Sequence, residues 1–509
     1  MEFFSHPLIK EATIEKREYQ EKILNIALKA NTLCVLPTGT GKTAIAILLA
    51  AHRLAEYPRS SVLVLAPTRP LVEQHKRAFE SALNIVEPVL LVTGKIKPEE
   101  REALYKEARV IVATPQTILN DVSCGRLELS EVSLVVVDEC HRSVKKYAYP
   151  QVLEKYFIKS KWPRILGLTA SPGSDISRIE EVKRTLHADA VEIYTEDEPD
   201  IKKYMKQVDL EWQHVEFDDE LKKAQEYLKA ALRDCLSKLK EFNINIYTKK
   251  DLIEAQHKAR MEVGKKKNPI LYYIVSLIAE TLKLWYALEL LEVQSIGAVK
   301  KYIEKLEGEK SRSAKRLVKN ETFNKACEII KNYKGEHPKI LKLREIVSNI
   351  FKEDENARVI LFSHYRDNIE NLYENLKGID GCRPCVLIGQ SKHGLSQKQQ
   401  VSMIRDFDAG TFNCLITSPV GEEGLHIPSA DIAILYEPVP SEIRMIQRRG
   451  RVGRTKTGKI IFLITKGTRD EANYYISQRK ERKMKKILKE MKENTNLLNW
   501  SGAANNQVQ

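Results

Sequence analysis

The chain is 509 residues long and carries 83 Lys and Arg against 69 Asp and Glu, a net charge of +14. That length has room for roughly three domains with cores of their own, and the basic balance fits a polyanionic partner, nucleic acid first, or a well-solvated surface. Its eight cysteines are scattered, several inside apolar runs, which argues against a disulfide framework and for reduced thiols in an intracellular protein.

The opening Met1-Glu2-Phe3-Phe4-Ser5-His6-Pro7 lacks the basic start and long apolar core of a signal peptide, so a soluble protein of the cytoplasm or nucleoid is expected. From residue 1 to 205, short apolar runs alternate with helical stretches: Leu33–Leu36, Val62–Ala66, Val89–Val92, Val110–Ala113, Leu134–Val137 and Ile165–Leu168. Runs without polar alternation predict parallel strands buried on both faces of a doubly wound α/β domain. Ligands of such a domain sit at the C-terminal ends of its strands.

The first run leads through Pro37-Thr38-Gly39-Thr40-Gly41-Lys42-Thr43 into a helix-forming Ala44-Ile45-Ala46-Ile47-Leu48. Strand, glycine-punctuated loop and helix make a phosphate cradle, built from backbone N–H groups and a helix N-terminus. Lys42 would reach the outer phosphates of ATP and the Thr43 hydroxyl would hold Mg2+. The strict pattern has glycine where Leu36 stands. Asp138-Glu139 ends the run Leu134–Val137; Asp138 is the candidate metal carboxylate and Glu139 the general base that takes a proton from the attacking water.

Beyond residue 205 the pattern becomes helical. Leu221, Ala224, Leu228, Ala231, Cys235 and Leu239 recur at three- and four-residue steps, and a second such segment covers 270–293. The apolar stretch Pro269–Ala279 is closed by Glu280 and falls short of the roughly 20 residues that a bilayer requires, so no membrane contact is expected. Residues 206–335 therefore read as a helical domain that engages nucleic acid, with Lys265-Lys266-Lys267 and Ser311–Arg316 as basic patches that could hold a duplex arm or be solvated faces. Over 336–490 the α/β alternation returns, with runs at Val359–Phe362, Cys385–Ile388, Cys414–Thr417, Ile432–Leu435 and Ile460–Ile464, and 491–509 reads as a disordered tail. Cys382 and Cys385 form the sole Cys-x-x-Cys pair, and without a second pair or a histidine couple no zinc site is expected. In Arg451-Val452-Gly453-Arg454 the glycine leaves the guanidinium groups uncrowded, so that Arg451 and Arg454 could meet the γ-phosphate from a second domain.

With Cys140-His141, the string Asp-Glu-Cys-His completes a resemblance to the superfamily 2 helicases, in the group that includes archaeal Hef, its eukaryotic counterpart FANCM, and the helicase modules of RIG-I and Dicer. The resemblance covers about residues 10 to 475. It implies two RecA-like doubly wound parallel-sheet domains with a helical domain between them, and an ATP-dependent helicase. Arg17-Glu18-Tyr19-Gln20 resembles the adenine-reading motif, with Gln20 on the base. Thr68-Arg69, Thr93-Gly94 and Thr114 resemble the nucleic-acid motifs of the first domain, and Thr169-Ala170-Ser171 the motif that couples hydrolysis to movement, expected beside His141. Ser363, Thr417 with Gly424, and Gln447 with Arg451 and Arg454 lie in strings similar to the fourth, fifth and sixth motifs. Contacts from Thr68, Arg69, Thr93, Gly94, Thr114, Ser363 and Thr417 would go mostly to phosphates and carry little sequence information.

Tyr436–Arg444 looks more like Hef and FANCM than RIG-I or Dicer, which implies branched DNA as partner and a nuclease or repair protein beside it. His426, where the group more often has aspartate, and the cysteine of Asp-Glu-Cys-His, typical of the RIG-I and Dicer branch, depart from that pattern and keep an RNA-directed ATPase as the alternative. A passive binding module with a degenerate ATP site is a third reading, opposed by the intact Lys42, Asp138, Glu139, Arg451 and Arg454. Glu481-Arg482-Lys483 is similar to the core of the nuclease domain fused to Hef-like helicases, but Ile487 stands where that chemistry needs aspartate.

Overall fold

The computed structural model describes residues 2–505 except for 145–146, 197, 206–207, 266–267, 365, 389–395, 419–429 and 439–457. The first sheet contains β1 (Thr32–Val35), β2 (Ser61–Leu65), β3 (Val89–Val92), β4 (Val110–Ala113), β5 (Val132–Asp138), β6 (Ile165–Thr169) and β7 (Ala190–Ile193). All pairings are parallel, in the order β3-β4-β2-β5-β6-β1-β7. Cys34 and Leu36 enter one core with Ile45 and Leu48, while Leu33 and Val35 enter the opposite core with Tyr149 and Leu153. Apolar residues are thus needed on both faces of β1, which is why its sequence does not alternate. Residues 190–193 were not anticipated as a strand; Ala-Val-Glu-Ile is short and interrupted by a carboxylate.

The second sheet has the order β10-β11-β9-β12-β13-β8, again parallel. Its strands are β8 (Val208–Val215), β9 (Val359–Phe362), β10 (Pro384–Leu387), β11 (Cys414–Thr417), β12 (Ile432–Leu435) and β13 (Gly458–Thr465). Here the structure corrects the sequence reading, which assigned 206–335 entirely to the helical domain. Val-Asp-Leu-Glu-Trp-Gln-His-Val alternates because β8 is the edge strand, paired on one side with β13. Trp212 on β8 stacks on Phe462 at 5.9 Å and donates to the Tyr474 hydroxyl. The chain therefore leaves the first sheet, lays one strand on the second, and only then builds the helices.

Those helices are Asp219–Glu241, Lys249–Lys265, Pro269–Val293, Ile296–Gly308, Arg312–Val318 and Glu321–Asn332. Asp218, Asn268, Ser295, Ser311 and Asn320 each accept a backbone N–H at a helix start. Leu221, Ala224, Leu228, Ala231, Cys235 and Leu239 form the inner face of the first helix. Among the described residues no helix is long and apolar enough to cross a membrane. All eight cysteines are unpaired.

The last helix runs Arg469–Asn505, into the stretch expected as a tail. Tyr474 meets Phe462 of the second sheet, yet Met484 and Leu488, ten and fourteen residues on, are buried in the first domain's core. Lys492 then pairs with Glu198 at 2.6 Å. One helix is anchored in both α/β domains.

Candidate ATP site and nucleic-acid groove

Helix α1 (Glu18–Ala27) ends before β1, and α2 (Lys42–Glu56) follows it. Between β1 and α2, Gly39 and Gly41 hold φ of +82° and +80°. Both values lie in the left-handed region, where a Cβ is strained. At Gly41 a Cβ would also stand 2.5 Å from the Gln20 amide nitrogen. Gln20 is buried and donates to the carbonyls of Thr40 (3.2 Å) and Gly41 (3.4 Å), and the Tyr19 hydroxyl also donates to Thr40. Gln20 Oε1 is buried without a partner, an acceptor suited to an adenine amine. Arg17 donates to Tyr19, pairs with Glu15, and lies 4.6 Å from the centre of the Tyr204 ring. Sequence reasoning named Arg17 and Gln20 but missed Tyr19 as the brace of the loop.

Thr40 closes the loop on itself, its hydroxyl donating to Pro37 at 2.7 Å. Lys42 Nζ donates to the carbonyls of Leu36 (3.0 Å) and Pro37 (3.1 Å), so the ammonium lies across the cradle of 37–43. The leucine at the expected glycine position has a reason: its side chain is core, its N–H donates to Thr169 and its carbonyl holds Lys42. Burial pulls the Lys42 ammonium below the ordinary lysine value, against Glu139 and then Asp138.

The order β5-β6-β1 sets Asp138-Glu139, Thr169 and the phosphate loop at three neighbouring strand ends. Strand spacing puts the outer two about 10 Å apart, room for a triphosphate between them. Burial would raise the Asp138 carboxyl, but His75 and Lys42 outweigh it and hold the group below the usual carboxylate value. A carboxylate at the end of β5 and the Thr43 hydroxyl at the start of α2 are the oxygen ligands that a hard cation such as Mg2+ takes. Glu139 adopts φ +50°, unusual for a residue with a side chain, and its carboxylate lies 3.2 Å from His141 Nδ1. That nitrogen is also 3.1 Å from the Thr169 hydroxyl, which donates to the Ser171 carbonyl. Ser171 Oγ in turn donates to Met484 of the last helix at 3.0 Å. The residues expected to couple hydrolysis to movement form one bonded chain.

The order β3-β4-β2 gives the other half of the same sheet edge. Thr93 follows β3, Thr114 follows β4, and Thr68 follows β2 as N-cap of α3 (Arg69–Ala82). Thr68 Oγ1 is buried without a partner, Gly94 has open space around its Cα, and Arg69 pairs with Glu73 at 2.9 Å. Thr114 Oγ1 contacts Thr117 at 2.8 Å. In the second domain Ser363 and Thr417 end the neighbouring strands β9 and β11, but both hydroxyls are turned inward, onto Glu437 (3.1 Å) and the Leu387 carbonyl (3.2 Å). Gly424, Gln447, Arg451 and Arg454 lie outside the described residues. Sequence reasoning also missed His75, 2.8 Å from Asp138; its signal was a histidine on the apolar stripe Val72, Phe79, Ala82.

Two parallel sheets, the first carrying these loops at its strand ends, are the core of a superfamily 2 helicase. Family models match in the same order: DEAD/DEAH box helicase over 17–179, "Putative ATP-dependent RNA helicase, helical bundle" over 220–337, and Helicase conserved C-terminal domain over 338–456. The crystal structure of the Pyrococcus furiosus Hef helicase domain is 39% identical with a TM-score of 0.74, over 92% of this chain and 100% of that one. The chain belongs to the Hef and FANCM group of superfamily 2 helicases. It is 42% identical over 96% of its length to a Methanocaldococcus jannaschii protein named "Putative ATP-dependent RNA helicase", and 32% identical over 90% to the ATP-dependent DNA helicase fml1 of Schizosaccharomyces pombe. It spans 63% and 58% of the length of those two relatives.

Proposed function

We propose that this chain is an ATP-driven DNA helicase and translocase whose substrate is branched DNA such as a replication fork. The observation that carries the proposal is the strand order, with the ATP motifs at the ends of β5-β6-β1 and three nucleic-acid motifs at the ends of β3-β4-β2. Lys42 and the loop N–H groups bind the triphosphate, and Gln20 and Arg17 hold the adenine end. Thr43 and Asp138 hold Mg2+, which when bound neutralises phosphate charge. Glu139, steered by His141, takes the proton of the attacking water. Arg451 and Arg454, with Gln447 and Gly424, complete the pocket from the second domain, so hydrolysis waits for the domains to close. Thr68, Arg69, Thr93, Gly94 and Thr114 grip the backbone of one strand, joined on closure by the loops of Ser363 and Thr417.

DNA as the substrate is supported by membership of the Hef group and by the fml1 relative's name, and its branched form by the likeness of Tyr436–Arg444 to Hef and FANCM; the name of the 42% identical relative supports RNA as the second reading. A nuclease or repair protein acting at the same junction is the partner this function implies. The test is the initial ATPase rate with forked DNA, linear duplex DNA and duplex RNA at one ionic strength, since affinity falls steeply with salt. Forked DNA is expected to stimulate most. Greatest stimulation by RNA would move the assignment to RNA, and no hydrolysis with any of the three would leave a passive binding module.

A further inference from the structure

His75 belongs to none of the groups assigned above, yet it is the side chain that joins the two halves of the first sheet's edge. It sits on α3 in the stripe Val72, His75, Phe79, Ala82, all buried. Its Nε2 is 2.8 Å from Asp138 Oδ2. Its Nδ1 is buried with no hydrogen-bond partner. A buried N–H without an acceptor is costly, so the proton resides on Nε2 and the ring donates it to the carboxylate. The main chain of Asp138 is held separately, its carbonyl accepting from the Tyr149 hydroxyl at 3.0 Å. What His75 fixes is therefore the rotation of the carboxylate, and with it the direction of the oxygen that His75 does not bind.

The other end of the same rigid helix begins at Thr68 and Arg69. His75 lies six residues on, about 9 Å along the axis. A phosphate drawn onto the start of α3 would move His75 with the helix, because both are parts of one hydrogen-bonded rod. We infer that His75 is a positioning residue that aims Asp138 at the cation and transmits nucleic-acid docking on α3 to the ATP site. This rests on the proposed function, in which Asp138 holds Mg2+ and α3 meets the strand.

Two substitutions separate position from mere polarity. His75→Gln keeps an N–H near the place of Nε2, whereas His75→Asn reaches only as far as Nδ1. The first readout is the Mg2+ concentration for half-maximal binding of ADP by the full chain, measured by calorimetry without turnover. Loss of a partner that orients a metal ligand weakens the metal ~10-fold or more. His75→Asn is expected to show that shift, and His75→Gln to stay near the native value. The second readout is the ratio of ATPase rates with and without single-stranded DNA, expected to fall for Asn and to recover for Gln. Equal behaviour of the two variants, or native Mg2+ dependence in His75→Asn, overturns the inference. A native chain that hydrolyses no ATP, or is not stimulated by DNA, would instead defeat the proposed function and is seen before either variant is made.

Discussion

At Gly41 two constraints meet: a left-handed φ of +80° and a Gln20 amide 2.5 Å from where a Cβ would stand. Gly41→Ala is expected to cost ~1–2 kcal/mol from backbone strain alone and to weaken ATP binding by displacing Gln20. Thermal melting and nucleotide titration check both effects, and a variant with native values in each would show that the loop tolerates a side chain. Glu139→Gln keeps size and the hydrogen bond to its neighbourhood but cannot accept a proton. It is expected to bind ATP and to lose ~10²–10⁴ in hydrolysis, so native turnover would assign the base elsewhere. In the second domain the Glu437 carboxyl accepts from Ser363, from the His364 N–H and from Asn368, with Lys339 buried nearby. Burial pushes it up to about 7 from an ordinary 4.5, in spite of Lys339. Between those values the folded chain holds a proton that the unfolded chain has released. Stability therefore falls as pH rises through this window, by about 3 kcal/mol in all. Glu437→Gln is expected to flatten that slope in melting curves taken from pH 4.5 to 7.5; parallel curves for the two proteins would exclude it.

Among the elements, the helical domain has its two ends side by side, so that a short linker can replace it, at the cost of its contacts to Arg469, Gly467 and His337. Phe217 and His337 stack edge to face at 5.5 Å, and Tyr333 donates to Asp218 at 2.6 Å. Removing 219–335 and joining the ends with a short linker leaves β8 in the second sheet. The shortened chain is expected to retain ATP hydrolysis that depends on Lys42 and to lose its preference for forked over linear DNA in binding measurements at matched salt. An unchanged preference would free the bundle of that role. β8 also shows what the sequence could and could not reveal. The doubly buried strands were legible because their apolar runs have no other use, and the bundle's first helix because its period is 3.6. An edge strand such as Val208–Val215 shows half its residues to solvent, and without its partner β13 it looks like any polar–apolar stretch. The lysine-rich stretch Gln478–Asn494 was legible as a helix, but where it packs was not, because its apolar residues Met484 and Leu488 are satisfied by another domain.

For the molecule as a whole, motif order gave the site's ingredients, while strand order decides which of them are neighbours. Asp138 and Thr169 end the adjacent strands β5 and β6, and Lys42 opens the helix that follows their neighbour β1, an arrangement that no spacing rule reveals. His75 was hidden for the same reason, since its partner is 63 residues away. The last helix is anchored on β13 through Tyr474 and again in the first core, where Ser171 donates to Met484. On the proposed function, the phosphate loop of the first domain is where ATP is cleaved to drive action on DNA. The most direct measurement is steady-state ATP hydrolysis by Lys42→Ala beside the native chain, with saturating forked DNA at one ionic strength. The variant is expected to fold and to turn over ATP ~10²–10³ more slowly, the loss that follows when a preorganised charge facing the reacting phosphate is removed. Turnover equal to that of the native chain would contradict it.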